Sequence, residues 1–327
     1  MSGLDGVRLR LERVRAAVGQ IDAQFLDTPA LPCAPLGREL GCSLTLKVET
    51  LNPVRSFKGR GTETVAAVAS ETGASRVVCA SAGNLGQALA YSGQRRGLAV
   101  TVVAAKTASA FKLRQIAAFG ADIRIDGEDI EDARLLAREI ADASDAYLLE
   151  DSLDLATCEG AATIGLELVR DDPGLDVVLV AVGGGAMASG VGYALRSLAE
   201  HVQVIGIQPA GAPAMALSWR QRTVVETDHI ETIADGVAGR CPIPEVLGDL
   251  LVVLDDMRLV REGSIKVAMR MLYEHAGLVV EPSAALGIAA VLEEPERFAG
   301  RRVTTILCGS NVGPADFARW VLEPIAR

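Results

Sequence analysis

Six consecutive apolar residues, Val177 to Val182, run without a break into Gly183-Gly184-Gly185-Ala186-Met187. A strand that is apolar on both faces must be covered on both faces, which is the situation of a parallel sheet flanked by helices. The same alternation recurs along the chain. Strands are expected over 44–48, 77–80, 100–104, 123–125, 147–149, 177–181, 202–207 and 303–307. Helices are expected over 7–21, 62–70, 87–96, 109–119, 130–141, 160–169, 186–198, 262–274 and 283–292, with a last one from Ala315. The segment 210–250, rich in Gly, Pro and Thr, reads as less regular. Repeated βα units of this kind make an α/β protein, and two series of them suggest two Rossmann-like lobes with parallel sheets.

Ligands of such sheets sit beyond the carboxyl ends of strands. The loops beginning at Ser81, Gly183 and Cys308 each follow an expected strand directly, so they converge on one site. Successive glycines let backbone N–H groups turn toward a phosphate, and the helix that follows adds its positive end. A dinucleotide fingerprint does not fit, because its third glycine would fall at Ala188 and the next strand ends at Gln208 rather than at an acidic residue. The arginine-rich chain has only five lysines, Lys47, Lys58, Lys106, Lys112 and Lys266. Lys58 lies in Asn52-Pro-Val-Arg-Ser-Phe-Lys-Gly-Arg-Gly61, a turn that opens a helix and puts the Phe57 ring next to the amine. A lysine amine condenses with an aldehyde cofactor when its site favours the neutral form, and a flanking ring can cover the cofactor's plane.

Composition excludes other classes. With 327 residues, half of them hydrophobic, the chain can bury a large core. A net charge of -10 argues against a nucleic-acid partner, whose phosphates call for a basic face. No apolar run of spanning length and no leader pattern occurs, so a cytoplasmic protein without a membrane partner is expected. The cysteines Cys33, Cys42, Cys79, Cys158, Cys241 and Cys308 are scattered, which points away from zinc and from a disulfide framework.

Taken together these residues resemble the fold-type-II (tryptophan-synthase-β-like) pyridoxal-phosphate enzymes, in the branch of serine/threonine dehydratases and serine racemase. SFKGRG at 56–61, SAGNLGQALA at 81–90, GGGAM at 183–187, ADGVA at 234–238, EPSAA at 281–285 and CGSN at 308–311 follow the family's order. The resemblance implies a large cofactor-binding domain of 1–70 with 148–327, a small mobile domain of 71–147, and a homodimer. It implies that Lys58 carries pyridoxal 5'-phosphate as a Schiff base under Phe57, and that Gly183, Gly184, Gly185, Ala186 and Met187 bind the phosphate. Ser81, Ala82, Gly83 and Asn84 would surround the substrate carboxylate, with Asn84 also reaching the cofactor and with Gly236 and Glu281 nearby. Cys308 would face the pyridine nitrogen. A thiol cannot hold that nitrogen protonated, so the ring is a weaker electron sink and expulsion of a β-group is favoured.

The implied activity is elimination from a β-hydroxy amino acid, giving a 2-keto acid and ammonia. Ala82 stands where serine racemase has its second serine, which disfavours racemisation. Gln208, Ala212 and Ala214 occupy the positions of a cation site in other members, so no metal is expected. Arg55 stands where relatives usually have Gly, and Leu85 where many have His. Threonine synthases usually have an acidic residue in place of Gly59, and cysteine synthases a different lysine segment; these replacement enzymes are the alternatives, with a non-catalytic metabolite sensor behind them. No additional C-terminal regulatory domain is expected.

Overall fold

A computed structural model describes residues 4–323. Ten strands build two sheets: β1 (Ala30–Pro32), β2 (Ser43–Val48), β3 (Arg76–Ala80), β4 (Ala99–Ala104), β5 (Asp122–Ile125), β6 (Tyr147–Leu149), β7 (Val177–Ala181), β8 (Gln203–Pro209), β9 (Asp256–Val260) and β10 (Arg302–Leu307). The larger sheet has the order β1-β2-β10-β7-β8-β9 and the smaller β5-β4-β3-β6. Every pairing is parallel except β1 with β2. The parallel sheets expected from the sequence are present, and the one antiparallel strand lies at an edge, where a strand ending in Pro32 can pair on one side only.

Each sheet has its own core. Val177, Val178, Leu179 and Val180 are almost wholly buried in the larger, as their continuous apolar run requires. Val77, Cys79, Val100, Val102 and Ile116 fill the smaller, together with Val65 and Ala69 from the helix Lys58–Glu71. That helix therefore belongs to the packing between the sheets, and it crosses helix Leu155–Asp171 closely. A Cβ on Gly160 would lie 2.4 Å from the Arg60 carbonyl oxygen.

Other differences from the expected elements have local causes. The first helix covers Leu11–Val18 only. Val7 and Leu9 are buried with Arg8 between them, an extended alternation, and the Arg8 N–H and Nε both donate to Asp249, at 2.9 and 2.8 Å. Strand β9 carries Asp and Arg, which conceal its period, and helix Ala34–Leu40 is short. The irregular segment contains two helices, Ala214–Gln221 and Pro244–Val253, each preceded or opened by a proline, the residue best tolerated at a helix start. No helix among the described residues is long and apolar enough to cross a membrane.

Candidate active site

The carboxyl ends of β3, β7 and β10 and the first turn of helix Lys58–Glu71 enclose a cavity of about 390 Å³. Its wall includes Phe57 and Lys58, the Ser81-Ala82-Gly83-Asn84 loop, the Gly183-to-Met187 loop, Gly236, Glu281 and Cys308. The structure thus brings every candidate site residue of the sequence to one place. The Lys58 turn is fixed by Asn52, whose Oδ1 accepts from the Val54 and Ser56 N–H groups at 3.1 and 3.4 Å and whose Nδ2 donates to the Glu49 and Ser56 carbonyls. It is also stitched to the loop after β10: Phe57 N–H donates to the Cys308 carbonyl at 3.0 Å and Ser310 N–H to that of Arg55 at 2.9 Å. This stitching brings Lys58 and Cys308 together from distant parts of the chain.

The glycine loop is shaped for an anion. Among the described residues, the N–H groups of Gly183, Gly184, Gly185 and Met187 have no acceptor, while that of Ala186 donates to Ser152 Oγ at 3.1 Å. A Cβ on Gly184 would sit 2.7 Å from Ser152 Oγ, and Gly185 has φ +107°, open to glycine alone without strain. Free N–H groups around the start of the 13-residue helix Ala186–Leu198 are the arrangement that can receive an anion such as a phosphate. Helix Asn84–Arg96 presents a second start to the cavity, and the N–H groups of Asn84 and Leu85 likewise lack an acceptor among the described residues.

Asn84 is held from two sides. Its Nδ2 donates to Glu281 Oε1 at 2.8 Å, and its Oδ1 accepts from Asn311 Nδ2 at 2.8 Å. Glu281 also accepts from the Asn311 N–H at 3.2 Å. Burial pushes the Glu281 carboxyl up from its ordinary value, against the pull of Lys112 and these hydrogen bonds. Lys112 reaches across from the smaller sheet's side and pairs with Asp235 at 2.6 Å. Burial and the nearby Glu281 charge raise the Cys308 thiol far above its usual range, so it stays neutral. Gln208 is buried with its Oε1 accepting from the Ala216 N–H at 2.8 Å, and Ala212 and Ala214 are buried methyl groups.

Sequence reasoning misses Asp151 and Ser152. Lys58 Nζ is 2.5 Å from Asp151 Oδ2 and 5.0 Å from the centre of the Phe57 ring. Both residues follow β6, which the sequence marks at 147–149, so the rule that points to Ser81, Gly183 and Cys308 could have found them; the segment after β6 carries no glycine run or Ser-Phe-Lys motif to draw notice.

A lysine amine, free N–H donors and a neutral thiol share one cavity, and pyridoxal 5'-phosphate fits these residues. The chain belongs to the family of pyridoxal-phosphate dependent enzymes, which it matches over residues 21–309. It is 35% identical to an L-threonine ammonia-lyase of Thermotoga maritima over 93% of this chain and 76% of that protein. It is 31% identical to a phenylserine dehydratase of Ralstonia pickettii over 98% and 95%. The solved structure of maize serine racemase superimposes with a TM-score of 0.89 at 26% identity, covering 94% of this chain and 95% of that one. The chain is accordingly a fold-type-II enzyme of the serine/threonine dehydratase branch.

Proposed function

We propose that this enzyme eliminates water from an L-β-hydroxy amino acid of the serine/threonine type and releases a 2-keto acid and ammonia. The observation that carries the reading is the Lys58 amine facing one cavity shared by the free N–H groups of Gly183, Gly184, Gly185 and Met187 and the loop Ser81 to Asn84. Its relatives in sequence include an ammonia-lyase and a dehydratase, which supports this reading over β-replacement or sensing.

The glycine loop and Ala186 would hold the cofactor phosphate, Phe57 would cover the ring, and Cys308 would face the ring nitrogen as a neutral thiol. Bound pyridoxal phosphate supplies electron withdrawal that weakens the Cα–H bond of an amino acid attached to it. The Ser81 and Asn84 groups would bind the substrate carboxylate at the start of helix Asn84–Arg96, with Asn84 kept in orientation by Glu281 and Asn311. Lys58 would take the Cα proton as a neutral amine. Ala82 lines the cavity with a methyl group and supplies no proton donor to the opposite face, which supports elimination over racemisation.

The smaller sheet would move as a small domain against the rest; because all of β6 pairs with β3, its seam would fall just past Leu149 and not at the 147/148 boundary the resemblance implies. A homodimer in the cytoplasm is the assembly we expect; the exposed Leu31 on edge strand β1 and the exposed Leu51 offer an apolar surface for it. The test is to load the purified protein with pyridoxal phosphate and offer L-serine, L-threonine and aryl β-hydroxy amino acids. Keto acid and ammonia should form in equal amounts without added nucleophile or divalent cation. Comparable formation of D-amino acid, or strict dependence on sulfide, would overturn the reading.

A further inference from the structure

Lys58 is not alone at the reacting end of the cavity. Its Nζ lies 2.5 Å from Asp151 Oδ2, and the carboxylate's other oxygen, Oδ1, is buried without a hydrogen-bond partner among the described residues. The backbone beside it is fixed. Ser152 is fully buried at φ +67°, its carbonyl accepts from Arg8 Nη2 at 3.0 Å, and its Oγ accepts from the Ala186 N–H. A strained residue other than glycine, pinned between an arginine and the phosphate loop, keeps the neighbouring carboxylate where it is. The other titratable groups whose charges reach the pair are Cys79 of β3, Asp154 and Cys158 at the start of the next helix, and Cys308 after β10. Their buried thiols are held neutral, and Asp154 is engaged by Tyr147 and the Ala156 N–H. Asp151 is thus the carboxylate in contact with the amine.

We propose that Asp151 is a positioning residue for Lys58: its Oδ2 holds the amine at the reacting end of the cavity and stabilises the ammonium formed once the lysine has taken the proton from Cα. The Cα–H bond breaks, an N–H bond forms on Lys58, and the Asp151 carboxylate faces the resulting ammonium; nothing is oxidised or reduced. The proposal rests on the elimination reading above, but part of its test does not.

That part uses the full-length protein stripped of cofactor and treated with trinitrobenzenesulfonate. Labelling of Lys58 is followed by mass spectrometry against Lys106 and Lys266 as internal references. Removing a carboxylate from beside an ammonium favours the neutral amine, so Asp151→Asn should label Lys58 about 5-fold faster near neutral pH, and Asp151→Glu should label as the parent does. In the loaded enzyme, Asp151→Asn should lower kcat by about 10- to 100-fold with KM changed less than about 2-fold, and Asp151→Glu should recover part of it. An unchanged Lys58 labelling profile in Asp151→Asn, or identical behaviour of the Asn and Glu variants, would overturn the proposal. Failure of the parent protein to turn over any β-hydroxy amino acid would instead overturn the elimination reading, while faster labelling would still support the Asp151–Lys58 pairing.

Discussion

Two groups of charges lie on either side of the first turn of helix Lys58–Glu71, and they are finished differently. Behind it, Lys47, Glu49, Arg60 and Glu167 are almost wholly buried and bonded throughout. Arg60 donates to Glu49, Glu167, Thr163 and Thr28, and Lys47 to Glu167 and the Thr28 carbonyl. In front, Lys58 meets a carboxylate with one oxygen unpaired, Ser283 Oγ is buried without a partner among the described residues, and the glycine loop leaves its N–H groups free. Two positive and two negative groups balance in the rear, where their bonds tie the helix to β2 and to helix Leu155–Asp171. The front keeps spare bonding capacity, as a site that must receive a ligand requires.

Exchanging one residue on each side should separate the two. Lys58→Ala should lower turnover by at least about 1000-fold and eliminate cofactor attachment, since it removes the reacting amine, yet leave the urea midpoint nearly unchanged. Arg60→Ala should do the reverse in kind: Glu167 keeps Lys47 but Glu49 loses its cation, so one buried negative charge is left uncompensated, at a cost of about 3–5 kcal/mol of stability by urea unfolding. Borohydride reduction and peptide mapping check the first result; a label on Lys47 or Lys266 would refute it.

The front is more legible in sequence than the rear, for a physical reason. Glycine runs, Ser-Phe-Lys and strand-end loops are local signals, and a ligand site assembled at strand ends announces itself by where strands stop. The charge cluster announces nothing, because Lys47, Glu49, Arg60 and Glu167 meet only after β2 and two helices have packed, and each alone looks like a surface residue. Asp151 falls between these cases: it sits at the end of an expected strand, but its loop has no local motif beside it. Strands β1 and β9 escape notice for a related reason, since neither gives an apolar alternation long enough to register.

The pH dependence of stability should divide along the same line. Burial works to raise the Glu167 carboxyl, but Arg60 and Lys47 outweigh it and the net direction is down. Its contribution is therefore present above the unfolded value near 4.5 and is lost as pH falls through the lower folded value. Glu281 is raised, chiefly by burial, so its contribution is complete below 4.5 and is lost as pH rises through the folded value. Glu167→Gln should flatten the acid limb of a stability profile, and Glu281→Gln the limb above it. Urea midpoints measured across both limbs check this, and an acid limb unchanged in Glu167→Gln would show that the rear cluster is not what acid breaks.

The smallest effect is expected in the turn that joins the two regions. Arg55 has φ +53°, a conformation that disfavours any L side chain, and its backbone is engaged: the N–H donates to the Asn52 carbonyl at 3.0 Å and the carbonyl accepts from Ser310. Its guanidinium makes no hydrogen bond or ion pair among the described residues, and it does not line the cavity. Arg55→Gly would relieve roughly 1–2 kcal/mol of backbone strain and give back about 0.5–1 kcal/mol through the freer unfolded chain. A net gain of about 0.5 kcal/mol should raise Tm by a little under about 1 °C with kcat unchanged. A fall in Tm would mean that the arginine stem contributes packing to the turn. A fall in kcat at constant Tm would mean that the strained turn sets the position of Lys58, which would place Arg55 with the front of the helix and not between its two sides.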